Sequence, residues 1–415
     1  MNRALGQSMT KASERERNPF RPGMGLEPPY LADRQYQLQR FARYLNGFPE
    51  FPRNVRVIGL RGVGKTVLLQ RYAALAEESE WVVVRRELGT DLQDEVAFGL
   101  VVVDDCRVAL DRVSRRTAAA RHSKAAIAQA LDLLGGISVV LAGISLTVMV
   151  RAPSTAIRQR PVLSDQLFAA LEATCRTARS AGRRGLILFY DEAHLLRDSA
   201  NQKQYPLSAL LAAVARAQRE SIPVMLVVCG LPPLTDNLAL AKSYSERMFQ
   251  AEVLDALRPP EDQHAFERPL SESHRDFEPE LIEAVRGDAR GYPFHIQFFG
   301  ALLWDSVPVS EPITKEHFRS LRPAILEALD QAFFDARLAR TSNLERRLLV
   351  AIAADGESSP IRSVLNRIDA DHPRASRLVA RLVAKGLVYK PERGRLAFTV
   401  PLFGDYLRRR GIADG

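Results

Sequence analysis

The chain has 415 residues, more than the roughly 250–300 residues at which a single core stops growing, so two or three domains are expected. A hydrophobic content of 46% with 26% charged residues excludes wholesale disorder. The net charge of +9 comes mainly from arginine, which fits phosphate or nucleic-acid contacts but also a bias in genome base composition.

The cysteines Cys106, Cys175 and Cys229 follow no metal-binding or redox spacing, and no histidine clusters with them. This pattern argues against a zinc site and favours a reduced, cytoplasmic protein. Residues 1–17 are polar and charged without an apolar segment, so we expect no signal peptide.

The amino-terminal part of the chain is predicted to change from a flexible arm to an α/β pattern. Residues 1–29 are expected to be flexible and end in a proline-rich stretch. From Tyr30 onward, apolar spacing alternates between helical and strand periods. The predicted elements are a helix over 33–45, a strand over 55–59, a helix over 65–78 and a strand over 81–85.

An apolar insertion at about 128–151 interrupts the largely helical region 91–183. Residues 133–150 carry no charge and are about as long as the ~18-residue minimum for a membrane span. They also contain glycines and a run that alternates like a strand. We predict a buried hairpin and no membrane contact, with a membrane-tethered protein as the alternative.

Two short, continuously apolar segments, 186–190 and 224–228, are typical of central strands in a parallel sheet. They complete a predicted α/β domain over residues 30–257. Amphipathic helices then dominate residues 258–340, which predicts a helical second domain. In residues 341–415, three helical patterns precede a β-hairpin with its turn at 391–394.

The segment Gly59–Thr66 matches the phosphate-binding pattern G-x-x-x-x-G-K-[ST] between a predicted strand and a predicted helix. In this pattern backbone N–H groups and the helix amino terminus surround the phosphates, Lys65 reaches the β- and γ-phosphates, and Thr66 binds Mg²⁺. The residues expected to bind the nucleotide here are Gly59, Arg61, Gly62, Val63, Gly64, Lys65, Thr66 and Val67.

The apolar run from Leu186 ends in the two carboxylates Asp191 and Glu192. Carboxylates at the end of a buried parallel strand lie at the edge of the sheet where phosphates bind. Asp191 is expected to hold Mg²⁺ and Glu192 to activate the attacking water. Taken alone, the pair would also fit an acidic helix start. With the preceding loop, it predicts an ATPase that uses ATP and Mg²⁺.

These two motifs, followed by a helical region and a three-helix-plus-hairpin unit, resemble the AAA+ initiator clade over most of residues 19–410. That clade includes the origin-recognition and archaeal replication initiators and bacterial ATPases related to them and to the signalling STAND group. The resemblance implies a P-loop α/β domain with a parallel sheet, a helical lid over 258–340 and a winged helix over 341–415. It also implies a homo-oligomer that forms on nucleotide binding.

Two arginines lie in segments similar to motifs of that family. The segment 28–34 resembles the adenine-side box, which commonly reads Gly-Arg-Glu, but Asp33 stands in place of the glycine before Arg34. A solvated arginine at a helix start is the alternative for Arg34. The segment 243–249 resembles the box that supplies an arginine finger, here Arg247, to a neighbouring subunit. An ordinary surface arginine is the alternative.

The sequence departs from the family at both sensors. Cys229-Gly230 follows the strand at 224–228, where the family usually presents a polar residue. In the lid, Phe294 stands where an arginine is often found, and Arg290 or His295 could substitute for it. These departures imply slow hydrolysis, or ATP used as a switch.

The third helix of the carboxyl-terminal unit, predicted over 373–385, turns Arg374, Arg377 and Arg381 away from its apolar face. Arg393 and Arg395 flank the hairpin turn, and the unit ends in a basic run at 408–410. A winged helix of this charge is expected to bind double-stranded DNA. The alternative is a STAND-like signalling or defence switch, in which the winged helix docks protein.

Overall fold

The computed structural model describes residues 17–411 except 49, 51, 117–120, 142–161, 274 and 369–371. The chain divides into two compact units. The α/β unit comprises Tyr36–Ile58 and Leu68–Val253, and the helical unit comprises Met1–Gln35, Gly59–Val67 and Leu254–Gly415. The phosphate-binding loop therefore groups with the helical unit, whereas Asp191 and Glu192 belong to the α/β unit.

The α/β unit is built on a five-stranded sheet in the order β2-β3-β4-β1-β5. Strands β2 and β3, β3 and β4, and β4 and β1 pair in parallel, with Tyr190 opposite Val228 and Ile58 opposite Gly230. Continuous burial of β3 and β4 explains their unbroken apolar sequences. The strands are β1 Asn54–Gly59, β2 Val82–Glu87, β3 Leu186–Asp191, β4 Val224–Gly230 and β5 Phe249–Leu254.

Eight helices accompany this sheet in the described residues, and three of them, α3, α4 and α5, pack against one another. They are α1 Gln35–Asn46, α2 Lys65–Glu78, α3 Glu95–Arg116, α4 Arg121–Leu141, α5 Leu163–Ser180, α6 Pro206–Arg219, α7 Pro233–Ala241 and α8 Ser245–Met248.

The prediction of a buried hairpin in the apolar insertion is wrong for its described part, because residues up to Leu141 form helix α4. Ile127, Ala130, Leu134 and Ile137 are buried at helical spacing. This apolar face outweighs the effect of the glycine pair at 135–136, where no neighbouring group among the described residues comes within 4 Å of an added Cβ. The strand-like run at 143–150 lies outside the described residues. Within the described part of the chain, no helix has the length and apolarity needed to cross a membrane.

Strand β5 was not predicted, and in it Phe249, Glu252 and Leu254 are buried whereas Ala251 and Val253 are exposed. A buried polar network also fastens this unit. The carboxylate of Asp105 on α3 is fully buried, accepts a 2.7 Å hydrogen bond from Arg86 Nε on β2 and a 2.9 Å hydrogen bond from the Tyr190 hydroxyl on β3. Burial raises the pKa of Asp105, and these two donors oppose the shift. The strand that leads into Asp191 is thereby tied to β2 and α3.

In the helical unit, residues 17–34 pack against the helices that follow. The prediction of a flexible arm over 1–29 is therefore wrong for residues 17–29, and residues 1–16 lie outside the described residues. Phe20 is buried and stacks on Phe266 with ring centroids 5.3 Å apart. Asn18 Nδ2 donates to the carbonyl of Ala301 at 3.0 Å, and the backbone N–H of Arg21 donates to Gln297 at 3.0 Å. The helices that follow are α9 Glu261–Glu272, α10 Pro279–Ala289, α11 Pro293–Ser306, α12 Lys315–Leu329 and α13 Asp335–Ala339, with a π-helical turn at Asp330–Phe334.

We call residues 341–411 the carboxyl-terminal module. The three predicted helices and the hairpin are present, and they enclose buried Leu348, Leu382, Leu396 and Phe403. A short third strand and a last helix, which were not predicted, complete the module. Its elements are α14 Asn343–Ala353, β6 Ser358–Pro360, α15 Ile361–Ile368, α16 His372–Ala384, β7 Val388–Tyr389, β8 Arg395–Phe398 and α17 Phe403–Arg409, with a three-stranded sheet in the order β6-β8-β7.

Candidate nucleotide site and carboxyl-terminal basic face

The phosphate-binding loop has a backbone that only glycine adopts easily. Gly62 and Gly64 have φ of +79° and +89°, in the left-handed region that disfavours a Cβ. At Gly59 a Cβ would lie 2.5 Å from the carbonyl oxygen of Leu254, so a residue with a side chain would not fit at this position. No described residue lies within 4 Å of a Cβ position on Gly64. The loop therefore has the conformation and the room that a phosphate needs.

Lys65 and Arg34 both donate to carbonyl groups of this loop. Lys65 is only 7% exposed, and its Nζ donates to the carbonyl of Leu60 at 2.8 Å. Arg34 is 3% exposed and donates to the carbonyl of Val63 at 3.0 Å. The alternative of a solvated Arg34 is therefore wrong. Asp33 has φ of +51°, which explains why the similar family box carries glycine there.

The lid turn presents an aromatic ring where the family often has an arginine. The backbone N–H of Phe294 donates to the carbonyl of Gly62 at 3.1 Å, and its ring stacks on Phe333 at 4.8 Å between centroids. His295 is buried, and burial lowers its pKa to about 3, so it is neutral at physiological pH. Arg290 forms a 2.7 Å ion pair with Asp405. His295 is therefore excluded as a cationic substitute.

Surplus positive charge nevertheless surrounds the loop within the helical unit. Arg337 lies over the Phe333 ring, 4.5 Å from its centroid, and donates to the Phe333 carbonyl. Burial, together with neighbouring Arg61 and Arg340, lowers the pKa of Arg337 to about 10. A guanidinium destabilised by like charges favours an anion nearby.

The carboxyl-terminal module contacts the loop through one backbone hydrogen bond. The N–H of Arg61 donates to the carbonyl of Thr399 at 3.1 Å. Thr399 is buried and directly follows β8. The phosphate-binding loop and the module are therefore joined within one unit.

In the α/β unit, β3 ends at Asp191 and the chain turns at once. The backbone N–H of Glu192 donates to Asp191 Oδ1 at 2.8 Å. Glu192 has φ of +51°, a left-handed conformation that costs a non-glycine residue roughly 1 kcal/mol or more. Its side chain is 23% exposed. Such residues cluster at functional sites, where the surrounding structure holds them in place.

Sequence reasoning missed His194, which lies beside Glu192. His194 Nε2 is 3.7 Å from Glu192 Oε2, and the imidazole is 7% exposed. The Glu-x-His spacing after an apolar strand is the sequence pattern that could have identified this residue. At the end of β4 the ring lies beside Gly230, within 3.1 Å of a Cβ placed there.

Arg247, the predicted arginine finger, is exposed on the short helix α8 just before β5. Its role across a subunit boundary stays a prediction. Among the described residues, no group of three or more histidine, cysteine or acidic side chains forms a metal cluster.

The third helix of the module turns basic residues outward. Arg377 and Arg381 are exposed, whereas Leu378 and Leu382 on the same helix are buried. The Arg374 side chain lies outside the described residues. Arg393 at the hairpin turn is exposed. By contrast, Arg395 is half-buried and donates to Ser358 Oγ at 3.2 Å.

The basic run at the end of the chain is neutralised rather than presented to a partner. Arg408 pairs with Asp405, Arg409 pairs with Asp330 at 2.5 Å, and Arg410 lies 3.1 Å from Glu327. Each arginine of the exposed run therefore has a carboxylate partner within the chain. The carboxylates come from α12, the π-helical turn and α17 itself.

Comparisons with known proteins agree with this architecture. A family model described as "AAA ATPase domain" matches residues 30–228, and one described as a domain of unknown function matches residues 331–407. Comparison with curated protein sequences gives no match.

Two solved structures illustrate the similarity of fold. The Walker-type ATPase paby2304 of Pyrococcus abyssi aligns at 15% identity and a TM-score of 0.53, covering 91% of this chain and 96% of that one. The ORC2 protein of Aeropyrum pernix in its ADP form aligns at 15% identity and a TM-score of 0.50, covering 95% and 98%. The predicted fold class, an AAA+ P-loop α/β domain with a parallel sheet, is confirmed.

Proposed function

We propose that this protein binds ATP with Mg²⁺ and hydrolyses the β–γ bond, starting from the match of residues 30–228 to a family model described as "AAA ATPase domain". The observation that carries the proposal is the pair of conformationally specialised segments. One is the loop with left-handed Gly62 and Gly64, and the other is the acidic turn with left-handed Glu192. Glycine adopts a positive φ readily, so the loop can present its N–H groups to a phosphate without strain. The left-handed conformation of Glu192 costs free energy and is typical of functional sites.

Each residue has a separate role in this proposal. Backbone N–H groups of the loop and the ammonium of Lys65 bind the phosphates. Thr66 and Asp191 would hold Mg²⁺, which neutralises charge on the transferring phosphoryl group. Glu192 orients the attacking water and accepts its proton. Arg34 braces the loop through the Val63 carbonyl.

The first test is phosphate release from ATP by the purified full-length protein, with and without Mg²⁺. We expect slow, Mg²⁺-dependent turnover, because an aromatic ring replaces the lid cation. Calorimetric titration with ATP and ADP in parallel reports binding without turnover. Absence of both binding and turnover would remove the proposal.

We propose further that the carboxyl-terminal module is a winged helix that contacts double-stranded DNA. The supporting observation is the exposure of Arg377 and Arg381 on the outer side of α16, with Arg393 exposed at the hairpin turn. Exposed arginines without structural ion pairs can meet phosphates at little cost. Fluorescence anisotropy of labelled duplex DNA, across a salt series with and without ATP, tests this part directly.

A second function, a nucleotide-dependent switch whose module docks protein, is favoured by one contact. The Arg61 N–H donates to the Thr399 carbonyl at 3.1 Å, so nucleotide at the loop and the position of the module can be linked. A switch of this kind would release the module on exchange of ADP for ATP. Limited proteolysis with each nucleotide, together with the DNA titration, separates the two functions. Nucleotide-dependent cleavage without DNA binding supports the switch.

We also propose that the protein assembles on nucleotide binding, with Arg247 acting on the ATP of a neighbouring subunit. The supporting observation is that Arg247 is exposed and lies on a helix of four residues immediately before β5. Size-exclusion chromatography with ATP, ADP and DNA tests the assembly.

A further inference from the structure

Neighbouring strands β3 and β4 end in different kinds of residue, and His194 links them. β3 ends in Asp191 and is followed by Glu192. β4 ends in Cys229 and Gly230, whose side-chain positions carry no carboxylate, amide or hydroxyl group. The 3₁₀ turn Ala193–Leu195 that follows Glu192 carries His194 toward the end of β4. The imidazole therefore lies where a polar side chain was expected after β4.

Gly230 leaves room for this imidazole. A Cβ on Gly230 would lie 3.0 Å from His194 N, 3.1 Å from His194 Nδ1 and 3.2 Å from His194 Cβ. These distances are tighter than ordinary van der Waals contact, so a side chain there would displace the ring. The φ of Gly230 is not positive. The absence of a side chain thus serves the packing of His194 rather than an unusual backbone conformation.

Hydrogen bonds around His194 select one tautomer. The backbone N–H of Leu231 donates to His194 Nδ1 at 3.4 Å, so that nitrogen acts as the acceptor and the proton of the neutral ring resides on Nε2. Asn237 Nδ2 donates to the His194 carbonyl at 2.9 Å and to the Leu196 carbonyl at 3.4 Å. The turn is therefore fixed from α7, and Nε2–H points toward the Glu192 carboxylate.

We propose that His194 is a positioning residue that holds the Glu192 carboxylate through its Nε2–H. It takes the place of the polar side chain missing at the end of β4. The 3.7 Å separation between Nε2 and Oε2 closes to a hydrogen bond with a small side-chain rotation, as catalytic contacts often do when substrate binds. The inference rests on the proposed role of Glu192 in hydrolysis.

Holding the Glu192 carboxylate in place lowers the free-energy cost of bringing it into position to orient the attacking water. Glu192 has several rotatable bonds, and an unrestrained side chain would spend most of its time away from the water that it must orient. The low exposure of His194 strengthens the interaction, because little water competes for Nε2–H. We expect loss of the imidazole to affect turnover more than nucleotide affinity, because its Nε2 lies 3.7 Å from the carboxylate of the proposed base.

Two substitutions separate the donor from the acceptor of the ring. His194→Gln places an amide N–H near the position of Nε2, whereas His194→Asn preserves only an acceptor near Nδ1. We expect His194→Asn to lower kcat roughly tenfold or more with KM for ATP nearly unchanged, and His194→Gln to recover much of the loss. Equal losses in the two variants, or a change confined to KM, would overturn the proposal.

Gly230→Ala gives a test that leaves His194 itself unchanged. The added methyl group should push the ring by a few tenths of an ångström and lower kcat by about threefold to tenfold. In the His194→Asn background the same substitution should cost much less, because the donor is already gone. Additive effects of the two substitutions on kcat would contradict coupling through the ring, and unchanged melting temperatures would exclude a general loss of stability.

A spectroscopic measurement is independent of turnover. In protein with ¹⁵N-labelled histidine, the resonance pair that disappears in His194→Gln is assigned to His194. We expect the chemical shifts of a neutral ring protonated on Nε2. A proton on Nδ1 at neutral pH would overturn the proposal.

The Glu192→Gln variant separates failure of this inference from failure of the proposed function. If Glu192→Gln hydrolyses ATP like the parent, the catalytic role of Glu192 is wrong, and the inference fails with it. If Glu192→Gln loses turnover while His194→Asn keeps the parent kcat, only the positioning role of His194 is wrong.

Discussion

The acidic turn after β3 and the outer side of α16 carry the polar residues of the two proposed activities in contrasting ways. Glu192 has a left-handed backbone, and His194, beside it, is nearly inaccessible. Arg377 and Arg381 are simply exposed. Chemistry on a water molecule requires a fixed geometry, whereas neutralisation of phosphates requires only charge within reach. The proposed base thus lies in a constrained backbone conformation, whereas the arginines proposed to contact DNA are accessible to solvent.

The two arginine groups of the carboxyl-terminal module sharpen the contrast. Arg409 pairs with Asp330 and Arg410 with Glu327, so these side chains join the last helix to the preceding helices. Neither Arg377 nor Arg381 forms an ion pair with another described residue. A count of charges therefore overestimates the basic surface, because only part of it is available to a polyanion.

The largest effect is expected at the fixed nucleotide segments. Lys65→Ala should weaken ATP binding about a hundredfold, because it removes the buried ammonium that is proposed to bind the phosphates. Calorimetric titration measures the change, and exposed Lys390→Ala is the matched control. Equal affinities of the two variants would contradict the role of Lys65 and remove the contrast between the regions.

A smaller effect is expected for Arg247, which is exposed yet is proposed to do chemistry. Arg247→Ala should lower hydrolysis by roughly tenfold to a hundredfold without changing ATP affinity, since the finger acts on a neighbouring site. Mixing it with Lys65→Ala should restore part of the rate, because Lys65→Ala subunits still supply Arg247. Exposed Arg176→Ala is the control. Unchanged hydrolysis by Arg247→Ala at every protein concentration would exclude a trans-acting finger.

On α16, Arg377→Ala combined with Arg381→Ala should weaken duplex binding about tenfold at low salt. The slope of log affinity against log salt should flatten by about 0.9 for each lost phosphate contact. Arg319→Ala with Arg322→Ala changes the charge equally, but these arginines pair with Glu316 and Asp288. We expect this control to bind like the parent. Equal losses in both variants would indicate a net-charge effect instead of a basic surface on α16.

The smallest effect concerns Glu357 inside the module, whose Oε1 accepts a 3.1 Å hydrogen bond from the Gly404 N–H. Burial, together with Asp405, raises the pKa of Glu357 from 4.5 to about 7. The folded form therefore retains a proton that the unfolded chain releases, so this contribution to stability is present below pH 4.5 and is lost as the pH rises through about 7.

Glu357→Gln removes this titration and preserves the acceptor. Its melting temperature should exceed that of the parent by roughly 2–5 °C at pH 8 and should match it near pH 4.5. Thermal unfolding across this pH range measures the difference. A gain that does not depend on pH would contradict the assignment to Glu357.

Local patterns predicted the segments that local physics determines. The glycine loop, the buried strands β3 and β4 and the acidic pair after β3 each follow from a few consecutive residues. The apolar insertion was misread because its glycines suggested a hairpin, whereas packing of Leu134 and Ile137 at helical spacing decides the conformation. Strand β5 alternates in sequence, but the structure buries Glu252 and exposes Ala251 and Val253, so its polarity pattern does not match its burial.

Contacts between distant segments could not be predicted in this way. The position of the His194 ring depends on the end of β4. The reason for glycine at position 230 is apparent only from its close contact with that ring. The pairing of Arg409 with Asp330 joins residues 79 positions apart. The hydrogen bond from Arg34 to the Val63 carbonyl likewise joins distant residues and could not be predicted from the sequence.

Hydrolysis of ATP with Glu192 as the base is the proposal on which the other assigned roles depend. Its most direct test measures ATP affinity and phosphate release for the parent and for Glu192→Gln under the same conditions. We expect the variant to bind ATP as tightly as the parent and to lose hydrolysis by roughly a hundredfold or more, because an amide accepts no proton from water. Hydrolysis by Glu192→Gln at the parental rate would contradict the account.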